Sequence, residues 1–179
     1  MSIAEIHDKS SMKAALRQSF GDVIYACDKL KEEQFYAPWA EGKWTPGDII
    51  GHLILSTKTV NNAFKTPKII LKTTFGKVKR SPYSYDEINS SYHAVLLGFQ
   101  APSNFVYNGV KEKGKSGMIQ SFNIELENMN RHIDKWKEED LLAYQLPHPV
   151  LGKLSLKEMI FFTIIHTDHH RKQIEAVMV

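Results

Sequence analysis

The chain has 179 residues, the size of one folded domain, long enough to bury a core without cross-links. A formal charge of +3, with 42% hydrophobic and 24% charged residues, excludes a disordered or fibrous chain. Lysines and arginines interleave with acids, as in Lys135 to Asp140, which argues against a nucleic-acid partner; Met1 to Met12 lacks the apolar core of an export signal, and no apolar run reaches the ~18 residues of a membrane span. The expected setting is the cytoplasm, with no membrane partner.

In chain order, Met12, Leu16, Phe20, Val23, Ile24, Cys27 and Leu30 recur at steps of three and four, which predicts a first helix that ends before Pro38. Cys27, the sole cysteine, falls on that stripe and reads as a small buried hydrophobe rather than a catalytic thiol. A second helix starts at Thr45, with Pro46 in its first position, Asp48 placed to close a capping box and Trp44 placed to staple onto Ile49.

The stretch from Thr66 to Tyr83 reads as an irregular loop. Lys65, Lys68, Lys72, Lys77, Lys79 and Arg80 give it a solvated basic surface, with anion binding as the alternative. Ser84 and Glu87 cap a short helix that runs to Leu97, before Pro102. After Gly109, Gly114 and Gly117, the series Met118, Phe122, Leu126, Met129, Ile133 and Trp136 marks a third long helix. Pro147, Pro149 and Gly152 form a loop, and Ser155 with Glu158 repeats the capping box while Leu154 and Met159 repeat the staple. The fourth helix runs from there almost to the terminus and is apolar nearly all round from Met159 to Ile165, as in a segment packed on several sides. With no sustained two-residue alternation, the reading is an all-α antiparallel four-helix bundle. It forms a single domain over 1–179, with long connecting loops that leave room for one short hairpin.

Chemistry concentrates in His166-Thr167-Asp168-His169-His170, where His166 and His170 lie one turn apart on one helix face, the spacing of two imidazole ligands to one ion. A zinc-protease motif is excluded, because Thr167 stands where glutamate is needed and Asp168 points about 200° around the helix from His166. The third ligand must come from another helix, and His52, among apolar neighbours on the second, is the choice. A core histidine bonded to a carbonyl is its ordinary alternative. His169, Gln173 and Asp48 are outer-sphere candidates, with Asp48 equally suited to capping. His7, His93, His132 and His148 read as surface residues.

These residues resemble the DinB/YfiT-like superfamily: Trp44-Thr45-Pro46 with His52, then Leu151-Gly152, and finally His166 with His169-His170-Arg171 and Gln173. The resemblance spans nearly the whole chain and implies a four-helix bundle that holds one divalent metal ion, zinc or nickel, with His52, His166 and His170. Family members often carry glycine where this chain has Lys172, a departure that leaves every ligand intact. Relatives include thiol S-transferases that use bacillithiol, an isomerase that uses mycothiol and metal-dependent hydrolases, so the fold does not fix the reaction.

Three neutral imidazoles leave a bound ion its full charge and an open position. The first expectation is a metal-dependent transferase that activates a low-molecular-weight thiol. The alternatives are a hydrolase using metal-bound hydroxide and a non-catalytic metal- or ligand-binding stress protein. A small-molecule substrate is the expected partner, and a second copy of the chain, as a homodimer, is a further candidate.

Overall fold

The computed structural model describes residues 6–38, 40–96 and 102–178. Four long helices carry the fold: α1 (Lys9–Lys29), α3 (Pro46–Phe64), α6 (Val110–Lys135) and α8 (Leu156–Glu175), with a short α2 (Glu32–Phe35) between the first two. α1 and α3 each pack against both α6 and α8, so the chain-adjacent α1 and α3 are not principal neighbours. The stripes foreseen on α1 and α6 meet: Phe20 stacks on Phe122 with ring centroids 4.2 Å apart, and Met12, Leu16, Val23, Cys27, Met118, Leu126, Met129 and Ile133 are all buried. Burying each such side chain contributes about 1.5–3 kcal/mol relative to exposure. Burial also pushes the Cys27 thiol up to about 12, which leaves it protonated and inert.

The helix starts follow local chemistry. Thr45 Oγ1 accepts the Asp48 N–H at 3.0 Å while the Asp48 carboxylate accepts the Thr45 N–H at 3.0 Å. Ser84 with Glu87, and Ser155 with Glu158, close the same reciprocal pair. The helix after Ser84 is α5 (Tyr85–Val95), with Leu96 as its C-cap; Leu97, the expected end, lies outside the described residues. Gly114 interrupts α6 with φ +72°, a left-handed backbone that glycine adopts without strain.

The stretch read as an irregular basic loop is more ordered than expected. It contains α4 (Lys68–Phe75), whose Ile69 and Ile70 are exposed. With only Leu71 buried, α4 shows no apolar stripe in the sequence. Lys68 pairs with Asp140 of α7 (Glu138–Ala143), and Arg80 reaches Glu158 through Nη1–Oε1 and Nη2–Oε2 contacts of 2.7 Å each. Glu158 also accepts the N–H of Tyr83 and of Ser155, at 2.7 and 2.6 Å. Burial alone would raise its pKa, but these donors and the guanidinium outweigh burial and hold the carboxylate below its ordinary value. The short hairpin for which the loops left room is β1 (Gln145–His148) paired antiparallel with β2 (Gly152–Ser155). No described helix is long and apolar enough to cross a membrane.

Candidate metal centre

The capped start of α3 sets the angular position of His52, and Ser155 does the same for His166 and His170 about three and four turns into α8. The three rings are buried, and one ligand-type nitrogen of each lies within 4.8 Å of the others. The His166 Nε2 atom stands 3.0 Å from His52 Nε2 and 3.0 Å from His170 Nε2. Nitrogens that share an ion through bonds of ~2.1 Å are spaced in this way.

The outer hydrogen bonds fix which nitrogen faces inward. His52 Nδ1–H donates to the Phe105 carbonyl at 3.1 Å, and His170 Nδ1–H donates to Gln173 Oε1 at 2.7 Å. Burial pushes all three pKa values down, well down for His166 and His170, so the rings are neutral. Neutral rings protonated at Nδ1 present Nε2 lone pairs. Two such lone pairs face His166 Nε2, which carries at most one proton and so cannot satisfy both contacts. A cation at the common point satisfies all three nitrogens, and in this sense the donor set fits a divalent ion.

Gly51 brings the loop close enough to make this bond. A Cβ there would meet the Tyr107 Cβ atom at 2.4 Å, so only glycine lets the 105–107 segment press against α3 where Phe105 reaches His52. Trp44 flanks the rings, 5.0 Å from His52 and 6.5 Å from His170 between centroids.

The other site candidates sort by position. His169 stays out of the three-ring cluster, and its Nε2 accepts from Gln173 Nε2 at 3.1 Å, so Gln173 bridges His170 and His169. The Asp48 carboxylate is turned to Thr45, 2.7 Å from its hydroxyl, and is not among the residues that line the pocket over the rings. His7 and His93 are exposed as expected, but His132 and His148 are half-buried rather than surface residues. His132 stacks on Phe64 and donates from Nδ1 to Asn61 Oδ1 at 3.2 Å; His148 packs edge-on against Phe162 at 4.1 Å. Single histidines in a loop or at a helix end carry no periodic signal that would reveal such neighbours.

The rings open into a pocket of about 780 Å³. Trp44, Tyr92, Phe105, Phe162 and Pro147 give it an apolar wall, Lys43 is its one ammonium group, and its described lining contains no carboxylate. Burial raises the Tyr92 hydroxyl above its ordinary pKa, so it lines the pocket as a neutral phenol.

Comparison with solved structures matches this chain to YfiT from Bacillus subtilis, described as "a probable metal-dependent hydrolase with an unusual four-helix bundle topology". The TM-score is 0.66 at 14% identity, over 97% of this chain and 89% of that one, a likeness that speaks for the fold. A search of curated proteins finds no match. The sequence model of the DinB superfamily matches residues 15–174, from the second turn of α1 to the last turn of α8, and the chain belongs to that superfamily.

Proposed function

We propose that this protein is a metal-dependent enzyme in which His52, His166 and His170 hold one divalent ion, zinc or nickel, and that it transfers a low-molecular-weight thiol to an apolar electrophile. When bound, such an ion supplies positive charge that brings the pKa of a thiol or water into the neutral range. The rings of Trp44, Phe105 and Phe162 exclude water from the reacting groups and accept the electrophile's apolar body. Gln173 and the Phe105 carbonyl hold two of the imidazoles in the tautomer that offers Nε2.

The observation that carries the choice of reaction is the absence of a carboxylate from the described pocket lining. A thiol of pKa ~8.5 loses its proton to bulk water once a cation stabilises the thiolate, so it needs no built-in base. Hydrolysis of an amide or ester calls for a group that takes a proton from water and returns one to the leaving group; with no carboxylate in the described lining that role falls to His148 or His169, whose accepting nitrogens are already turned to the Val150 and Leu151 amides and to Gln173. That second reading draws its support from the YfiT match.

An assay separates the two. Metal-loaded protein is given a generic electrophile with a low-molecular-weight thiol and, separately, a panel of esters and amides. Thiol conjugation that disappears in His170→Ala supports the transferase; hydrolysis with no conjugation replaces it with the hydrolase. Inactivity in every assay, with metal bound, favours a non-catalytic binding protein.

A further inference from the structure

His148 ends β1, opposite Gly152, whose φ of +72° turns the hairpin back. Its Nδ1 lies 3.3 Å from the N–H of Val150 and 3.2 Å from that of Leu151, and both donate to it. A nitrogen that accepts two amide protons cannot carry one, so the ring proton sits on Nε2. The ring rests on Phe162, 4.1 Å between centroids, and Phe162 in turn stacks on His166 at 5.1 Å, so His148 is one ring removed from the three-histidine cluster and lines the same pocket. Among the described residues its Nε2 has no hydrogen-bond partner, and with Nδ1 turned to its own hairpin the Nε2 edge is the polar one left for a ligand.

We propose that the Nε2–H of His148 is a fixed hydrogen-bond donor that receives a carboxylate or carbonyl oxygen of the molecule bound at the three-histidine centre. Burial lowers its pKa to about 4, so the ring stays neutral at working pH and keeps one N–H, acting as a donor and not as an acid. The assignment rests on the metal-centre reading and narrows it to a class: compounds that place an acceptor oxygen a short reach from the metal-binding atom, on an otherwise apolar body. No carboxylate stands in the described lining to oppose that charge preference.

Two measurements test it. Nitrogen NMR of the histidine rings in the wild-type protein reads the tautomer directly and needs no variant: Nε2–H with a bare Nδ1 is expected for His148, and an Nδ1–H tautomer overturns the proposal. In the second, cobalt(II)-loaded wild type and His148→Phe are titrated with mercaptoacetate, 3-mercaptopropionate and 1-propanethiol, followed by the cobalt absorption. The preference for the tighter-binding carboxylated thiol over propanethiol should fall about tenfold in His148→Phe, as expected for loss of a hydrogen bond to a charged oxygen, with propanethiol affinity unchanged. An equal preference in the two proteins, or equal weakening of every thiol, overturns it. Failure of cobalt to bind the wild type is seen before any thiol is added and removes the metal-centre reading itself, and this proposal with it.

Discussion

The Phe105 carbonyl, from outside the four long helices, accepts the Nδ1–H of His52 at 3.1 Å and so decides which nitrogen of that ring faces the other two histidines. The contact depends on Gly51, because a Cβ at that position would drive into Tyr107. Gly51→Ala should therefore lower metal affinity about 10–100-fold, as loss of an outer hydrogen bond does, and destabilise the fold by ~1–3 kcal/mol through overpacking. Competition with a chelator and urea unfolding measure the two effects.

Gln173 does for His170 what Phe105 does for His52, through its Oε1 atom at 2.7 Å. Gln173→Leu should weaken metal binding by a similar 10–100-fold, whereas Gln173→Glu, which keeps an acceptor and adds charge, should retain it. Equal loss in both variants would show that the side chain matters by shape alone. Chelator competition on the three proteins decides.

The buried Glu158 carboxylate ties the loop before α5 to the start of α8 through Arg80. Removing the cation in Arg80→Ala leaves that charge with two backbone donors and should cost ~3 kcal/mol, read as a lower urea midpoint. The folded carboxyl is held below its ordinary value of 4.5, so its contribution is complete above that pH and is lost as pH falls through the lower folded value. In Glu158→Gln the loss of stability as pH falls below about 4.5 should be shallower than in wild type.

Much of this was readable where one short window held the whole signal. Thr45-Pro46 with Asp48, and Ser155 with Glu158, specify helix starts through contacts three residues apart, and these starts rotate His52, His166 and His170 into place. The spacing of His166 and His170 was legible for the same reason; the choice of His52 came from the need for a ligand on a second helix and from its apolar neighbours, and the resemblance implies the same residue. What stayed hidden depends on residues far apart in sequence. Phe105 acts through its carbonyl, which no side-chain pattern encodes. Nothing in the sequence around Gly51 marks its contact with Tyr107. Arg80 looked solvated because its partner lies 78 residues away. α7 did carry a cue, the acidic first turn of Glu138, Glu139 and Asp140, but with Leu141 its one buried residue it lacked a stripe.

Burial holds His52, His148, His166, His169 and His170 below the ordinary 6.5 in the folded chain. As pH falls through about 6.5 the unfolded chain binds protons that the folded chain does not, so the metal-free protein should be most stable above that pH and lose stability steadily toward pH 4. For His148 the window closes at about 4. Urea midpoints at pH 7.5, 6.5 and 5.5 check this, and His148→Phe should show a smaller drop. Zinc or nickel added at pH 7.5 should raise the midpoint, because the ion binds the folded state preferentially.

The proposed enzyme depends on His52, His166 and His170 sharing one ion. Calorimetric titration of the metal-free protein with zinc and with nickel, repeated for His52→Ala, His166→Ala and His170→Ala, tests it most directly. One equivalent bound tightly by the wild type, with affinity lost by at least a hundredfold in each variant, is the predicted result. A wild type that takes up neither metal, or any of the three variants binding as tightly as the wild type, would contradict it.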